Sequence, residues 1–351
     1  MTEGTHVTIT AALVTGKGRL DLVEFPDPTP DPGGVVVDIA YCGICGTDLH
    51  AYQSGNPYNP AICGHEWAGT VSAAAADVER FAEGDRVAVA VPPACGSCEA
   101  CRTGNTTWCE TVFAAATGRD AGAPPHGGFA PSIAVPAGRL VHVPDSLDDI
   151  DGALLEPATV CVHGVRRAGI RLGDLVVIVG AGPIGLLTLG GARIAGAGRT
   201  VVVEPNPARR ELALSIGADH AVDPDGAGEL VAELSRGQLA DVVFECAGLG
   251  PTVQASADLT RRGGTLVLVG VASGTATIIP ALWVVKELNV EAAIAYTHDD
   301  FDLTIDLIAT GRLPVKPLHD QTTDLAGLGE VFEDLAGGAS QRTKVLVDPR
   351  T

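Results

Sequence analysis

The sequence predicts an α/β protein with two domains, one mostly β and one built on a doubly wound parallel sheet. A length of 351 residues suits about two folding units. Residues 7–143 form short β-rich pieces separated by Pro and Gly, whereas short apolar strands alternate with helical stretches after about residue 161. We expect one domain over residues 1–157 and 294–351, and a second over residues 158–293.

The individual elements follow from these patterns. In the β-rich part the clearest strands are 33–41, 84–91 and 138–144. In the second part the apolar strands are 175–180, 199–204, 241–248 and 264–270, with crossover helices over 183–197 and 207–218. A helix over 301–312 and a strand over 343–348 do not continue the alternation, so we expect them to return to the first domain.

The composition excludes several classes of protein. Hydrophobic residues make up 46% of the chain and charged residues 19%, which is enough apolar material for a core. Acidic residues outnumber basic ones by 43 to 23, and a net charge of −20 argues against nucleic-acid or membrane partners. The start of the chain lacks the features of a secretory signal. We therefore expect a cytoplasmic protein.

A glycine motif follows the first parallel strand. Gly180, Gly182 and Gly185 form GxGxxG, with Pro183 and Ile184 before the last glycine. Small residues here let the backbone approach a pyrophosphate at a helix N-terminus. The next strand ends at Glu204, 19 residues after Gly185, where a carboxylate should accept hydrogen bonds from the ribose hydroxyls of NAD. A glycine-rich turn without a ligand is the alternative.

The residues around Glu204 favour NAD over NADP. A carboxylate would repel the 2′-phosphate of NADP, and the Pro205-Asn206-Pro207 segment that follows offers no cation. Arg209 is a candidate to stack on the adenine, and the alternative is a solvated charge on a helix.

Nine cysteines in a cytoplasmic chain suggest metal binding rather than disulfides. Cys95, Cys98, Cys101 and Cys109 have the local spacing of a tetrahedral zinc cage. Four sulfur ligands leave no open position, so this zinc would be structural. Four buried cysteines without a metal are the alternative.

A second group of metal-ligand residue types is dispersed along the chain. Its segments are CGICGTDLH (42–50), GHE (64–66) and LEP (155–157). A catalytic zinc needs about three protein ligands of mixed type and one free position. Cys45, His65 and a glutamate could supply them, although each residue taken alone also has an ordinary structural explanation.

These segments, with CGSCEACxxGxxxxC and VGAGPIG in the same order, resemble the zinc-dependent medium-chain alcohol and polyol dehydrogenases. The similarity covers nearly the whole chain. It is greatest to the branch that contains sorbitol, 2,3-butanediol and threonine dehydrogenases. It implies a GroES-like catalytic domain and a Rossmann cofactor domain. It also implies two zinc ions per chain, NAD as cofactor, and a homodimer or homotetramer.

The resemblance assigns roles to single residues. It makes Cys45 and His65 ligands of the catalytic zinc, while Glu66 and Glu156 compete for the remaining protein position. Asp48 would orient the imidazole of His65. Thr47 and His50 would relay the proton.

The implied reaction is hydride transfer between NAD and a secondary alcohol or vicinal diol, or the corresponding ketone. The segment 51–63 is expected to wall the substrate pocket, with Tyr52 in contact. Trp283 and Tyr296 would line the pocket or a subunit contact, or belong to the core. Two alternatives are the same chemistry on a specialised ketone, cyclitol or amino alcohol, and a non-enzymatic zinc-stabilised binding protein.

Overall fold

The computed structural model describes residues 7–55, 63–120, 123–272, 274–338 and 340–351. The chain forms two compact units. Unit 1 comprises Met1–Glu156, Tyr296–Ala309 and His319–Thr351, and unit 2 comprises Pro157–Ala295 and Thr310–Leu318. The expected domains, 1–157 with 294–351 and 158–293, stay a prediction, and they differ from these units in assigning 310–318 to the first domain. No helix in the described ranges is long and apolar enough to cross a membrane.

Fifteen strands and eleven α-helices form the described part of the chain. The strands are β1 (Thr8–Gly16), β2 (Arg19–Pro26), β3 (Gly34–Gly43), β4 (Glu66–Ala74), β5 (Arg86–Val89), β6 (Ser132–Pro136), β7 (Leu140–His142), β8 (Leu175–Val179), β9 (Arg199–Val203), β10 (His220–Val222), β11 (Ala240–Glu245), β12 (Thr260–Leu268), β13 (Asn289–Ala292), β14 (His319–Thr323) and β15 (Lys344–Val347). The helices are α1 (Gly46–Ser54), α2 (Glu99–Arg102), α3 (Glu110–Ala116), α4 (Asp149–Ala168), α5 (Pro183–Ala195), α6 (Pro207–Ser215), α7 (Pro224–Leu234), α8 (Gly250–Leu259), α9 (Pro280–Lys286), α10 (His298–Ala309) and α11 (Leu328–Ala336).

Unit 1 is mostly β. A seven-stranded sheet runs in the order β14-β15-β3-β4-β5-β7, β6 also pairs with β3, and β1 and β2 form a separate hairpin. All of these pairs are antiparallel except β14 with β15. Alternate apolar residues of the strands enter one core, which α11 covers with Leu328 and Phe332. The expected strands at 33–41, 84–91 and 138–144 are confirmed as β3, β5 and β7.

Two strand pairings bring distant parts of unit 1 together. In the β3–β4 ladder Gly43 lies opposite Glu66, and in the β15–β3 ladder Leu346 lies opposite Gly43. The last strand of the chain therefore reaches the ends of β3 and β4. A side chain at Gly43 would meet the Glu66 carboxylate at 2.3 Å, so any other residue here would displace that carboxylate.

Unit 2 is a doubly wound parallel sheet, as the alternating pattern predicts. Its six strands run in the order β10-β9-β8-β11-β12-β13, and every pair is parallel. The central strands are apolar and buried, because helices cover both faces of such a sheet. The chain winds outward from β8 to β10, then returns to β11 and winds the other way. The switch point, where ligands bind in such sheets, lies between β8 and β11.

Candidate active site and metal centres

The four cysteines predicted as a zinc cage lie together in unit 1. Their sulfur atoms are all within 4.8 Å of one another, and the Sγ atoms of Cys95 and Cys101 are 3.9 Å apart. The Cys95 N–H donates to Cys109 Sγ at 3.2 Å, and the Cys98 N–H donates to Cys95 Sγ at 3.3 Å. Hydrogen bonds from Ser97 lower the pKa of Cys95 to about 5, which favours the thiolate that binds metal. The sulfur set fits zinc.

A second cluster joins Cys45, His65 and Glu66. One potential ligand atom from each residue lies within 4.8 Å of the other two. Cys45 caps the N-terminus of α1, His65 directly precedes β4, and Glu66 begins that strand. A thiolate, an imidazole and a carboxylate are the mixed ligand types of a catalytic zinc site. Glu66 is buried, while Cys45 and His65 are half-buried.

Asp48 ties the segments carrying Cys45 and His65 together. Its buried carboxylate accepts from the Cys45 N–H at 2.8 Å and from the Gly64 N–H at 3.0 Å. The His65 Nδ1 lies 4.0 Å from Asp48 Oδ1. Burial raises the pKa of Asp48 to about 6, and His65 acts in the opposite direction. Asp48 thus fixes the backbone on both sides of the cluster and places a carboxylate near the imidazole.

Lys344 is a site residue that sequence reasoning missed. Its ammonium group, only 2% exposed, donates to the Glu66 carboxylate and, at 3.0 Å, to the carbonyl oxygen of Ile44. A charged residue this deeply buried requires a partner. The available signal was a lysine at the start of the apolar strand KVLV, but the sequence does not show that β15 begins beside Glu66. One carboxylate oxygen, Glu66 Oε2, is bound by Lys344.

Glu156 lies near this cluster on α4, within unit 1. Burial raises its pKa to about 7, and the nearby His65 acts to lower it. Tyr296 lies beside Glu156, and burial together with this carboxylate raises the pKa of the Tyr296 hydroxyl. Tyr296 is also buried against Phe301, with ring centroids 5.5 Å apart. Tyr296 therefore contacts a candidate ligand and belongs to the core at the same time.

The two proposed proton-relay residues lie on α1. The Thr47 N–H donates to Cys45 Sγ at 3.5 Å, and both Thr47 and His50 are half-buried. Most of the expected pocket segment 51–63 lies outside the described residues, namely 56–62. Tyr52, the contact expected within it, is buried and packs edge-on against Phe332.

The glycine motif of unit 2 forms a tight strand-to-helix turn. Gly180 has a φ of 103°, and a side chain at Gly185 would meet the carbonyl oxygen of Gly180 at 1.9 Å. Gly182 caps α5 without a side-chain hydrogen bond, Pro183 is the first helical residue, and Ile184 follows. The free N–H groups at this helix start fit a phosphate.

Glu204 is held beside this turn. Its Oε2 accepts from the Ala181 N–H at 2.8 Å, and its Oε1 accepts from the Asn206 N–H at 2.9 Å. A carboxylate has four lone-pair positions, so capacity remains for hydroxyl donors. Arg209 lies half-buried at the start of α6. The neighbouring Arg210, which sequence reasoning missed, donates to the Glu204 and Pro205 carbonyl oxygens at 2.6 and 2.8 Å.

Comparison with known proteins agrees with both units. The alcohol dehydrogenase GroES-like domain matches residues 31–145, and the zinc-binding dehydrogenase family matches residues 183–310. A 2-dehydro-3-deoxy-L-galactonate 5-dehydrogenase from Pseudoalteromonas atlantica is 35% identical, over 96% of this chain and 98% of its own length.

Two solved structures extend this similarity. The 2R,3R-butanediol dehydrogenase of Bacillus subtilis is 30% identical with a TM-score of 0.83, covering 97% of this chain and 99% of its own. A structure from Sinorhizobium meliloti with NADP bound is 33% identical with a TM-score of 0.86, covering 98% and 100%. The chain therefore belongs to the zinc-dependent medium-chain alcohol and polyol dehydrogenases, enzymes that transfer a hydride between an alcohol and a nicotinamide cofactor. The predicted family and both domain types, GroES-like and Rossmann, are confirmed.

We expect Lys344→Met to lower the free energy of unfolding by about 3–5 kcal/mol, because removing one member of a buried ion pair leaves the other charge uncompensated. Arg350→Met is a matched control. It breaks an ion pair with Asp348 at the surface, and such pairs contribute about 1 kcal/mol or less. Urea denaturation of both variants measures the difference. Equal stability of the two variants would contradict a stabilising role for Lys344.

Proposed function

We propose that the chain oxidises a secondary alcohol, with a vicinal diol as the favoured substrate class, and uses NAD as the hydride acceptor. The observation that carries this proposal is the cluster of Cys45, His65 and Glu66 in a unit that also holds a four-cysteine cage. The diol preference draws on the similarity to a butanediol dehydrogenase. The reverse reaction would reduce the corresponding ketone.

We infer that Cys45, His65 and Glu66 hold the catalytic zinc, with Glu156 as the competing carboxylate. Three ligand atoms within 4.8 Å of one another suit one ion, and Glu156 does not belong to that compact set. Lys344 binds Glu66 Oε2, and the carboxylate has further lone pairs for a metal. A zinc ion held there would act as a Lewis acid that lowers the pKa of an alcohol hydroxyl.

The chain's own residues would handle the proton and orient the ligands. Thr47 and His50, on the helix that Cys45 caps, would carry the hydroxyl proton away from the site. Asp48 holds the backbone at Cys45 and Gly64, which keeps the ligand positions fixed during turnover. In unit 2, Gly180, Gly182 and Gly185 would bind the pyrophosphate of the cofactor, and Arg209 would contact its adenine.

Purified protein should contain two zinc ions per chain, one in each cluster. Cys45→Ser and Cys101→Ser should each remove about one zinc, and Cys45→Ser should also abolish activity. Cys246→Ser, which changes a thiol of unit 2, should keep both metals. Atomic emission spectrometry of the dialysed proteins measures the content. A single zinc in the wild-type chain would contradict the second site.

Wild-type protein should reduce NAD in preference to NADP, because the Glu204 carboxylate repels a 2′-phosphate. Glu204→Gln keeps a hydrogen-bond acceptor but removes the charge. It should lower kcat/KM for NAD by about tenfold and raise that for NADP, as expected for loss of hydrogen bonds to a charged group. Absorbance of the reduced cofactor, with a panel of diols, polyols and secondary alcohols as substrates, gives kcat/KM for NAD and for NADP. The same assay with a chelator tests whether activity depends on zinc. Faster reduction of NADP by the wild-type enzyme would contradict the proposal.

A homo-oligomer would form through one edge of unit 2. In the described sheet β13 pairs only with β12, so its outer edge is open. Val284 and Val285 of α9, the helix that precedes β13 in the chain, are 75% and 70% exposed, and Val290 of β13 is 42% exposed. An open strand edge with an apolar surface suits a second copy of the same chain, because two such edges pair about a twofold axis.

Val285→Glu should convert the oligomer to a monomer, because a charge would be buried between two copies. Leu172→Glu is the control, since Leu172 is an exposed leucine elsewhere in unit 2. Light scattering after size-exclusion chromatography gives the masses. If Val285→Glu has the wild-type oligomeric mass, this edge is not the interface.

A further inference from the structure

A buried glutamate that the proposed reaction does not use lies at the switch point of unit 2. Glu245 ends β11, opposite Val179 of β8 on one side and Leu268 of β12 on the other. Its side chain is 1% exposed, and burial raises its pKa. A buried carboxyl group requires hydrogen-bond partners. The partners of Glu245 show which segment it holds in place.

The hydrogen bonds to its side chain come from the loop that follows β11 and from the first turn of α8. Glu245 Oε1 accepts from the Ala247 N–H at 2.9 Å, from the Gly248 N–H at 2.9 Å and from Thr252 Oγ1 at 2.7 Å. The second oxygen, Oε2, is buried with no partner in the described structure. Glu245 therefore fixes the loop 246–249 and the first turn of α8.

This loop packs directly against the glycine turn. A side chain at Gly180 would meet the backbone nitrogen of Ala247 at 3.0 Å. On the other side, a side chain at Gly270 would meet the backbone nitrogen of Gly248 at 2.4 Å and Glu245 Oε2 at 2.8 Å. Glycines at both positions let the loops after β8, β11 and β12 lie side by side. A shift of the loop 246–249 would therefore disturb its neighbours.

We propose that Glu245 is a positioning residue for the cofactor, holding the loop 246–249 as the wall of the binding site on the β11 side of the switch point. In a doubly wound sheet each half accommodates one mononucleotide. The glycine turn and Glu204 belong to the β8–β10 half, which takes the adenosine. Glu245 belongs to the β11–β13 half, so it acts on the nicotinamide part. The inference rests on the proposed use of a nicotinamide dinucleotide.

Glu245→Leu tests this role, because leucine has no hydrogen-bond acceptor. The backbone N–H groups of Ala247 and Gly248 then lose the carboxylate to which they donate. NADH affinity should fall about tenfold or more, whereas ADP affinity should change by less than about threefold. Glu245→Gln keeps an amide oxygen at the Oε1 position and should bind both ligands within about threefold of wild type. Thr252→Val removes one of the three hydrogen bonds and should weaken NADH binding alone, by a smaller factor. NADH fluorescence and ADP calorimetry give the dissociation constants.

The outcomes separate a role toward the nicotinamide half from a general structural role. Equal loss of NADH and ADP affinity in Glu245→Leu would overturn the inference. It would mean that the substitution unfolds unit 2 as a whole, because an unfolded unit binds neither ligand. Unchanged NADH affinity in that variant would overturn it as well. If Glu245→Leu does not fold, unaltered NADH affinity in Thr252→Val overturns it. A wild-type chain that binds ADP and NADH equally weakly would instead overturn the proposed dinucleotide function itself.

Discussion

The buried pair of Lys344 and Glu66 is the interaction on which the organisation of unit 1 depends. Its two residues are 278 positions apart, and neither charge is stable in the core without the other. The pair fixes the last strand, β15, against the end of β3 and the start of β4. Glycine at position 43 makes the approach possible. The candidate metal ligands are therefore held by a contact between two parts of unit 1 that are far apart in the sequence.

Charge explains why this site suits a divalent cation. Among the described residues of unit 1, Cys45, Asp48, Glu66 and Glu156 lie close enough to affect one another's ionisation, and Lys344 and His65 act in the opposite direction. Burial raises the pKa of Asp48 to about 6 and that of Glu156 to about 7, because a carboxylate charge is costly to bury. A dication would balance the negative charge of the carboxylates and the thiolate. The net charge of −20 over the whole chain says nothing of this local balance.

Unit 2 achieves its geometry by close backbone approach rather than by buried charge pairs. Gly185 packs on Gly180, and Gly270 packs on Gly248. Two glutamates at strand ends, Glu204 and Glu245, each accept backbone N–H groups from the loops beside them. A carboxylate can hold several N–H groups at once, which explains how short loops at a sheet edge keep one conformation. The same two residues stand on opposite sides of the switch point.

The sequence by itself determined the fold class, the glycine turn and the four-cysteine cage, because these features are encoded by residues close together in the chain. Periodicity of apolar residues and fixed spacings of Gly or Cys need no knowledge of distant contacts. The roles of Lys344, Tyr296 and Glu245 could not be predicted in this way. Each depends on a partner that tertiary structure supplies. β15 begins beside Glu66, Tyr296 lies beside Glu156 of α4, and the loop after β11 packs against the glycine turn. Only folding brings those groups together, and burial makes a polar group without a partner costly.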